Sequence, residues 1–171
     1  MSQSLNKKVA IVTGSGAGIG LASALNLSRK GVKVLTVDIN DETANKSSER
    51  ICKEGGHAIP FVGDVAKEKV AKKMVEQAMN HFGRLDILVQ NAFGATDGAY
   101  GNAVEITIDG YRKSMAVLVD ALFFGARFAV PAMQSSGPPP THEPIHHAGN
   151  DLSNSKPAPQ EIGRIINISS V

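Results

Sequence analysis

The sequence predicts an α/β fold, a doubly wound parallel sheet with helices on both faces. Two observations carry this. Short runs rich in valine, isoleucine and leucine recur at Val9–Val12, Val32–Val37, Ala58–Val62, Leu85–Val89 and Arg164–Ile168. Longer amphipathic stretches separate them, with short connections marked by glycine. Continuous apolar runs of this length suit strands buried on both faces, as in parallel sheets. Strand–helix–strand units with short connections cross over right-handed, which winds helices onto both faces.

Composition bounds the rest. Of 171 residues, 42% are hydrophobic and 20% charged, which suits a single domain spanning 1–171. Eighteen basic residues against sixteen acidic give +2, so electrostatic binding to nucleic acid or a membrane surface is not expected. Cys52 is the single cysteine, which excludes an intrachain disulfide and any multi-cysteine zinc site. No apolar run is expected to reach membrane-span length. The N-terminal apolar run leads straight into a glycine loop rather than a cleavage site, so the cytoplasm is the expected compartment.

Taken in order, the run Val9–Val12 enters the loop TGSGAGIG, and a helix is expected from Ile19 to Lys30 with Ile19, Ala22 and Leu25 along one side. Gly31 follows it as a C-terminal cap, and Gly55-Gly56 stands in the same relation to the second helix. Val70, Met74, Ala78 and Phe82 recur every four residues between Lys, Glu and Gln, the pattern of a helix covering a sheet face. Thr107 is a fitting N-cap, with Ile106 and Tyr111 at the positions of a hydrophobic staple. That helix is expected to run to about Met133, ending near Pro131 and Gly137. Residues 134–161 differ in kind. They hold six of the eight prolines and three of the five histidines, and read as an exposed loop insertion. His142, Glu143, His146 and His147 cluster there, but Pro144 opposes the helix that paired histidine ligands need, so no metal site is expected.

The glycine loop is where chemistry enters. A strand that turns into a helix through Gly14, Gly18 and Gly20 needs glycine for a tight turn, for close approach of backbone to a diphosphate, and for close packing of helix on strand. The helix then directs its first N–H groups and positive dipole end at the phosphates. Gly14, Ser15, Gly18, Ile19 and Gly20 are the binding candidates of this loop. Asp38 closes the second strand, eighteen residues after Gly20. An acidic side chain there accepts ribose hydroxyls and repels a 2′-phosphate, which selects NAD over NADP. No Arg or Lys stands in the loop or directly after Asp38 to hold such a phosphate. The plainer alternatives are a flexible glycine turn and an ordinary turn or N-cap aspartate.

With these residues in view the chain resembles the short-chain dehydrogenase/reductase family. The supporting motifs follow in order: Thr13-Gly14 to Gly18-Ile19-Gly20, Asp38, Gly63-Asp64-Val65, Phe82-Gly83-Arg84-Leu85-Asp86, Asn91-Ala92 and Ile166-Asn167-Ile168-Ser169-Ser170. The resemblance implies a Rossmann-type subunit with strand order 3-2-1-4-5 over the part present. It implies hydride transfer between NAD(H) and a secondary alcohol or ketone, and assembly into a dimer or tetramer of like subunits. Asp64 and Val65 would lie beside the adenine ring, Asn91 and Ala92 beside the cofactor ribose, and Ser170 would hydrogen-bond the substrate oxygen.

Three departures stand out. Gln90 and Phe93 occupy positions where the family has Asn and Gly, and Leu118 occupies that of the family's catalytic Asn. The family's Tyr and Lys fall beyond the serine pair, and the sequence ends at Val171. Neither Tyr100 nor Tyr111 can stand in, because Val104 and Met115 follow them four residues on. That Tyr is the proton donor, its phenol lowered from near pH 10 by Lys and the positive nicotinamide. Without it about 10²–10⁴-fold in rate is lost, so the 171-residue chain is expected to be nearly inactive. A chain recorded without its C-terminal part, a non-catalytic NAD-binding module, and a different enzyme of the same general fold, such as a methyltransferase, are the readings to separate. If β5 is the last strand, Ile165, Ile166 and Ile168 are expected to be poorly covered.

Overall fold

Aliphatic residues buried on both sides make the centre of the sheet. β1 (Val9–Thr13) is buried at all five positions. The other strands are β2 (Lys33–Asp38), β3 (Ala58–Val62), β4 (Ile87–Gln90) and β5 (Arg164–Asn167). They alternate with α1 (Gly18–Arg29), α2 (Asp41–Lys53), α3 (Glu68–Phe82), α4 (Ile108–Met115) and α5 (Ala121–Ser136). The computed structural model describes residues 5–94, 98–137 and 162–169. All pairings are parallel, in the order β3-β2-β1-β4-β5, which is the expected Rossmann arrangement.

Alternation along each strand divides the core. Ala10, Val12 and Val34 point to one face and pack with Ala24, Leu25 and Ile51 of α1 and α2. Ile11, Leu35 and Leu88 point to the other and pack with Met74 and Ala78 of α3 and Ala129 and Met133 of α5. Each fully buried Leu, Ile or Met contributes about 1.5–3 kcal/mol by leaving water. Caps fix the helix starts. Asn40 Oδ1 accepts from Thr43 N–H (3.1 Å) at α2, and Thr107 Oγ1 from Gly110 N–H (3.0 Å) at α4. Gly83 ends α3 in the left-handed region at φ +80°.

Several elements differ from the sequence reading. β4 begins at Ile87, not Leu85, and Asp86 stands just before it, its N–H donating to the Val9 carbonyl (3.0 Å) and its carbonyl accepting from Arg164 N–H (2.9 Å). Its carboxylate, 1% exposed, accepts from Val9 N–H (2.9 Å) and is gripped by Arg84 at 2.8 and 2.6 Å. This contact raises the Arg84 pKa. α1 is rotated from the expected phase. Ile19 is 63% exposed and Ala22 is exposed, while Gly20, Ala24 and Leu25 face inward. Cys52 is exposed, with its Sγ 3.5 Å from the Ala58 carbonyl.

The largest departure is the helix after Thr107. α4 and α5 are joined by a π-helical turn, Ala116–Asp120, and α5 continues through Pro131 to Ser136. Residues 134–136 therefore belong to the helix rather than to the insertion. Residues 138–161, with the histidine cluster, lie outside the described residues. The expectation of no membrane-length apolar run is also corrected. Among the described residues, the continuous helix Ile108–Ser136 has 29 residues and a mean hydropathy of 1.6 in its most apolar window, the length and composition of a membrane span, which the core helix of a soluble protein can share. The reason is a second apolar row. Ala121, Gly125, Ala129 and Met133 face the sheet, while Leu118, Val119, Phe123 and Val130 are exposed. β5 is thinly covered as expected, with Ile166 and Ile168 exposed and Ile165 partly buried against the core.

The Arg84–Asp86 pair predicts a stability contrast. Asp86→Ala removes the acceptor of a buried N–H and of a guanidinium, and is expected to cost about 3–5 kcal/mol in denaturant unfolding. Glu42→Gln, which removes the exposed Lys46 pair, is expected to leave the unfolding midpoint unchanged.

Candidate functional site

The site forms where β1, β2, β3 and β4 end, beside the start of α1. Two strand ends, those of β1 and β4, meet there through hydrogen bonds of Thr13 and Asn91. Thr13 Oγ1 accepts from Asn91 N–H (3.0 Å) and Ala92 N–H (3.1 Å), and donates to the Val89 carbonyl (3.4 Å). Asn91 Nδ2 donates back to the carbonyls of Thr13 and Gly14, both at 3.2 Å. The end of β4 is thus sewn to the glycine loop leaving β1.

The loop depends on missing side chains. Gly14 adopts φ +63°, and a Cβ there would lie 2.8 Å from the Ala92 Cα. A Cβ on Gly20 would run into the Gly14 carbonyl. α1 therefore starts in direct backbone contact with the loop. Its N-cap, Ala17, has no side-chain acceptor, as at Lys67 of α3 and unlike Asn40 of α2 and Thr107 of α4. The first-turn N–H groups of α1 are left to an outside acceptor, and the dipole makes a negatively charged one favourable. Gly18, at φ +53°, has open space where its Cβ would be.

Asp38 serves the fold and faces the site. Oδ2 accepts from Gly16 N–H (2.8 Å) and Oδ1 from Asn40 N–H (3.0 Å). Each oxygen has two lone pairs, so both retain capacity for a further donor. The side chain lines a crevice of about 310 Å³ together with Gly14, Ile39, Asp64, Val65 and Ala92. Phe93 and Val117 complete its wall. Asp64 Oδ1 accepts from Ala66 N–H (3.0 Å), fixing the turn into α3, and Val65 is buried below it.

The residues singled out from sequence are thus placed unequally. Gly14, Asp38, Asp64, Val65 and Ala92 share the crevice. Gly18 and Ile19 sit at the exposed start of α1, and Asn91 lies behind the loop as its brace. Ser15 turns inward. It is fully buried, and its N–H and hydroxyl both donate to the Val37 carbonyl (3.0 and 3.3 Å), so its side chain holds the loop to β2 instead of facing the crevice. Ser170 lies outside the described residues.

Sequence reasoning missed three contributors. Thr13 stood only as a motif letter, although its hydroxyl makes three of the bonds above. Val117 reaches the crevice from the π-helical turn, and no 3.6-residue period announces such a turn. Gln90, an apparently mild change, is 5% exposed and donates from Nε2 to Asn167 Oδ1 (3.0 Å) and the Leu122 carbonyl (3.3 Å). It ties β4, β5 and the long helix together.

Chemically, the crevice offers a carboxylate to hydroxyls and apolar walls to a flat ring, and the start of α1, beyond the loop that begins at Gly14, offers N–H groups and a helix dipole to an anion. An adenine dinucleotide carries all three groups. Residues 8–138 match the sequence profile of the short chain dehydrogenases. The chain is 36% identical over 137 residues to a cyclohexanol dehydrogenase of Acinetobacter sp. (strain SE19), covering 80% of this chain and 54% of that protein. It is 40% identical over 130 residues to an uncharacterized oxidoreductase of Thermotoga maritima, covering 76% and 50%. Among solved structures, an NAD+-bound xylitol dehydrogenase aligns with a TM-score of 0.72 at 29% identity, covering 77% of this chain and 50% of that one. The chain spans about half the length of these relatives. On sequence, fold and site together, it belongs to the short-chain dehydrogenase/reductase family of oxidoreductases.

Proposed function

We propose that this chain is the dinucleotide-holding part of an NAD-dependent oxidoreductase acting on a secondary alcohol or ketone. One observation carries the choice of cofactor: the Asp38 carboxylate lines the same crevice as the glycine loop and is held in place by Gly16 and Asn40 N–H groups. The uncapped first turn of α1 binds the diphosphate, and Asp38 accepts the adenosine ribose hydroxyls. A 2′-phosphate would set negative charge against that carboxylate, at about 1–4 kcal/mol per unit charge at 4 Å in a wet or surface environment. Asp64 and Val65 flank the base, and Ala92, held by Thr13, borders the ribose. Bound there, the dinucleotide supplies the hydride acceptor or donor.

The substrate side is argued from relatives and sequence. Two relatives are named for alcohols, cyclohexanol and xylitol, which supports a CH–OH substrate. Ser170 is the proposed donor to the substrate oxygen. Neither Tyr100 nor Tyr111 has a Lys four residues on, so the 171-residue chain binds cofactor and turns substrate over poorly. The exposed row Val119, Phe123 and Val130 supports self-association through the long helix. With one cysteine and no disulfide to protect, the proposed setting is the cytoplasm.

Calorimetric titration is expected to show NAD+ binding, with NADP+ much weaker. Asp38→Ala should weaken NAD+ about 10–100-fold, the value of hydrogen bonds to a charged group, and narrow the gap to NADP+. Equal affinity of the unaltered protein for both dinucleotides would refute the role given to Asp38. In a panel of secondary alcohols, turnover by the 171-residue chain is expected about 10²–10⁴-fold below that of a form carrying the Tyr and Lys. Turnover matching that form would remove the argument from the missing pair.

A further inference from the structure

Phe93 is the crevice residue that the fold explains least. Its side chain is 75% exposed, so it contributes little to the core, yet it lines the same cavity as Ile39, Val65 and Val117. In the sheet order, the ends of β2 and β3 lie on one side of β1 and the end of β4 on the other. The first two carry Ile39 and Val65, and the last runs on into Phe93. A flat group entering over Gly14 therefore meets aliphatic side chains from one side and a phenyl ring from the other. A large apolar ring left in water at a cavity rim gains when something covers it, and a ring-shaped partner gains most, through offset stacking as well as burial.

We propose that Phe93 is a specificity-determining wall that stacks on the adenine of the bound dinucleotide. This rests on the NAD reading above and adds a residue to it. Glycine at this position would leave the base open to water on that side. With Phe93 the crevice favours an extended π-system over a sugar or aliphatic group.

The test is calorimetric titration of NAD+ and of ADP-ribose, which lacks the nicotinamide, into the unaltered protein, Phe93→Ala and Phe93→Tyr. Phe93→Ala is expected to weaken both ligands by the same factor, about 5- to 100-fold, as base–aromatic stacking predicts. Phe93→Tyr, which keeps a ring, is expected to retain the original affinity. The exposed position should leave the melting temperature of both variants unchanged, which separates lost contact from lost fold. Equal or tighter binding by Phe93→Ala overturns the proposal and leaves the NAD reading standing. A loss larger for NAD+ than for ADP-ribose overturns the assignment to adenine. No binding of either ligand by the unaltered protein overturns the NAD reading, and this proposal with it.

Discussion

The contact between Gly20 and the Gly14 carbonyl constrains everything around the site. No side chain fits between α1 and the loop, so the helix must start against backbone. That single approach fixes the helix phase. With Gly20 inward, Ala24 and Leu25 follow into the core and Ile19 turns out to solvent. It also sets the start of α1 against the loop whose Gly14 lines the crevice, with no side chain capping the helix. Asn91 braces the arrangement from behind by bonding both carbonyls of the turn.

Asp38 shows how one group can serve both fold and function. Gly16 and Asn40 hold its two oxygens, so the carboxylate is already oriented before any ligand arrives. A substituent at Gly16 would collide with that carboxylate and with Thr43. The glycine therefore guards the acid's position as well as the loop's path. Preorganisation of this kind lowers the entropy that a ligand must overcome on binding.

Much of this was legible in the sequence, for physical reasons. The strands were readable because both of their faces are buried, which leaves an unbroken apolar run such as Val9-Ala10-Ile11-Val12. The glycine loop was readable because backbone crowding at Gly14 and Gly20 admits no side chain. The phase of α1 was misread because apolar Ile19 and Ala22 suggested an inward face, whereas the Gly20 contact governs and glycine carries no hydropathy signal. The start of β4 differs because Leu85 continues the apolar run, although the strand itself begins only at Ile87. The π-helical turn left no trace at all. Its residues Ala116–Asp120 suit an α-helix equally well, so only packing reveals it. Ser15 misled in another way. Its place in the loop suggested an outward hydroxyl, but the turn delivers that hydroxyl to Val37.

The interior amide of Gln90 reaches further than its two bonds. Its Oε1 occupies the space that a methyl group on residue 125 of the long helix would need, so Gly125 and Gln90 divide one volume between strand and helix. Neither position can be enlarged alone. An alanine at 125 would evict the carboxamide from Leu122 and Asn167, while a shorter amide at 90 would relieve the crowding only by surrendering its reach. The two residues form a compensating pair, and through them the spacing between the sheet and the helix that supplies Val117 is set by the length of a single side chain.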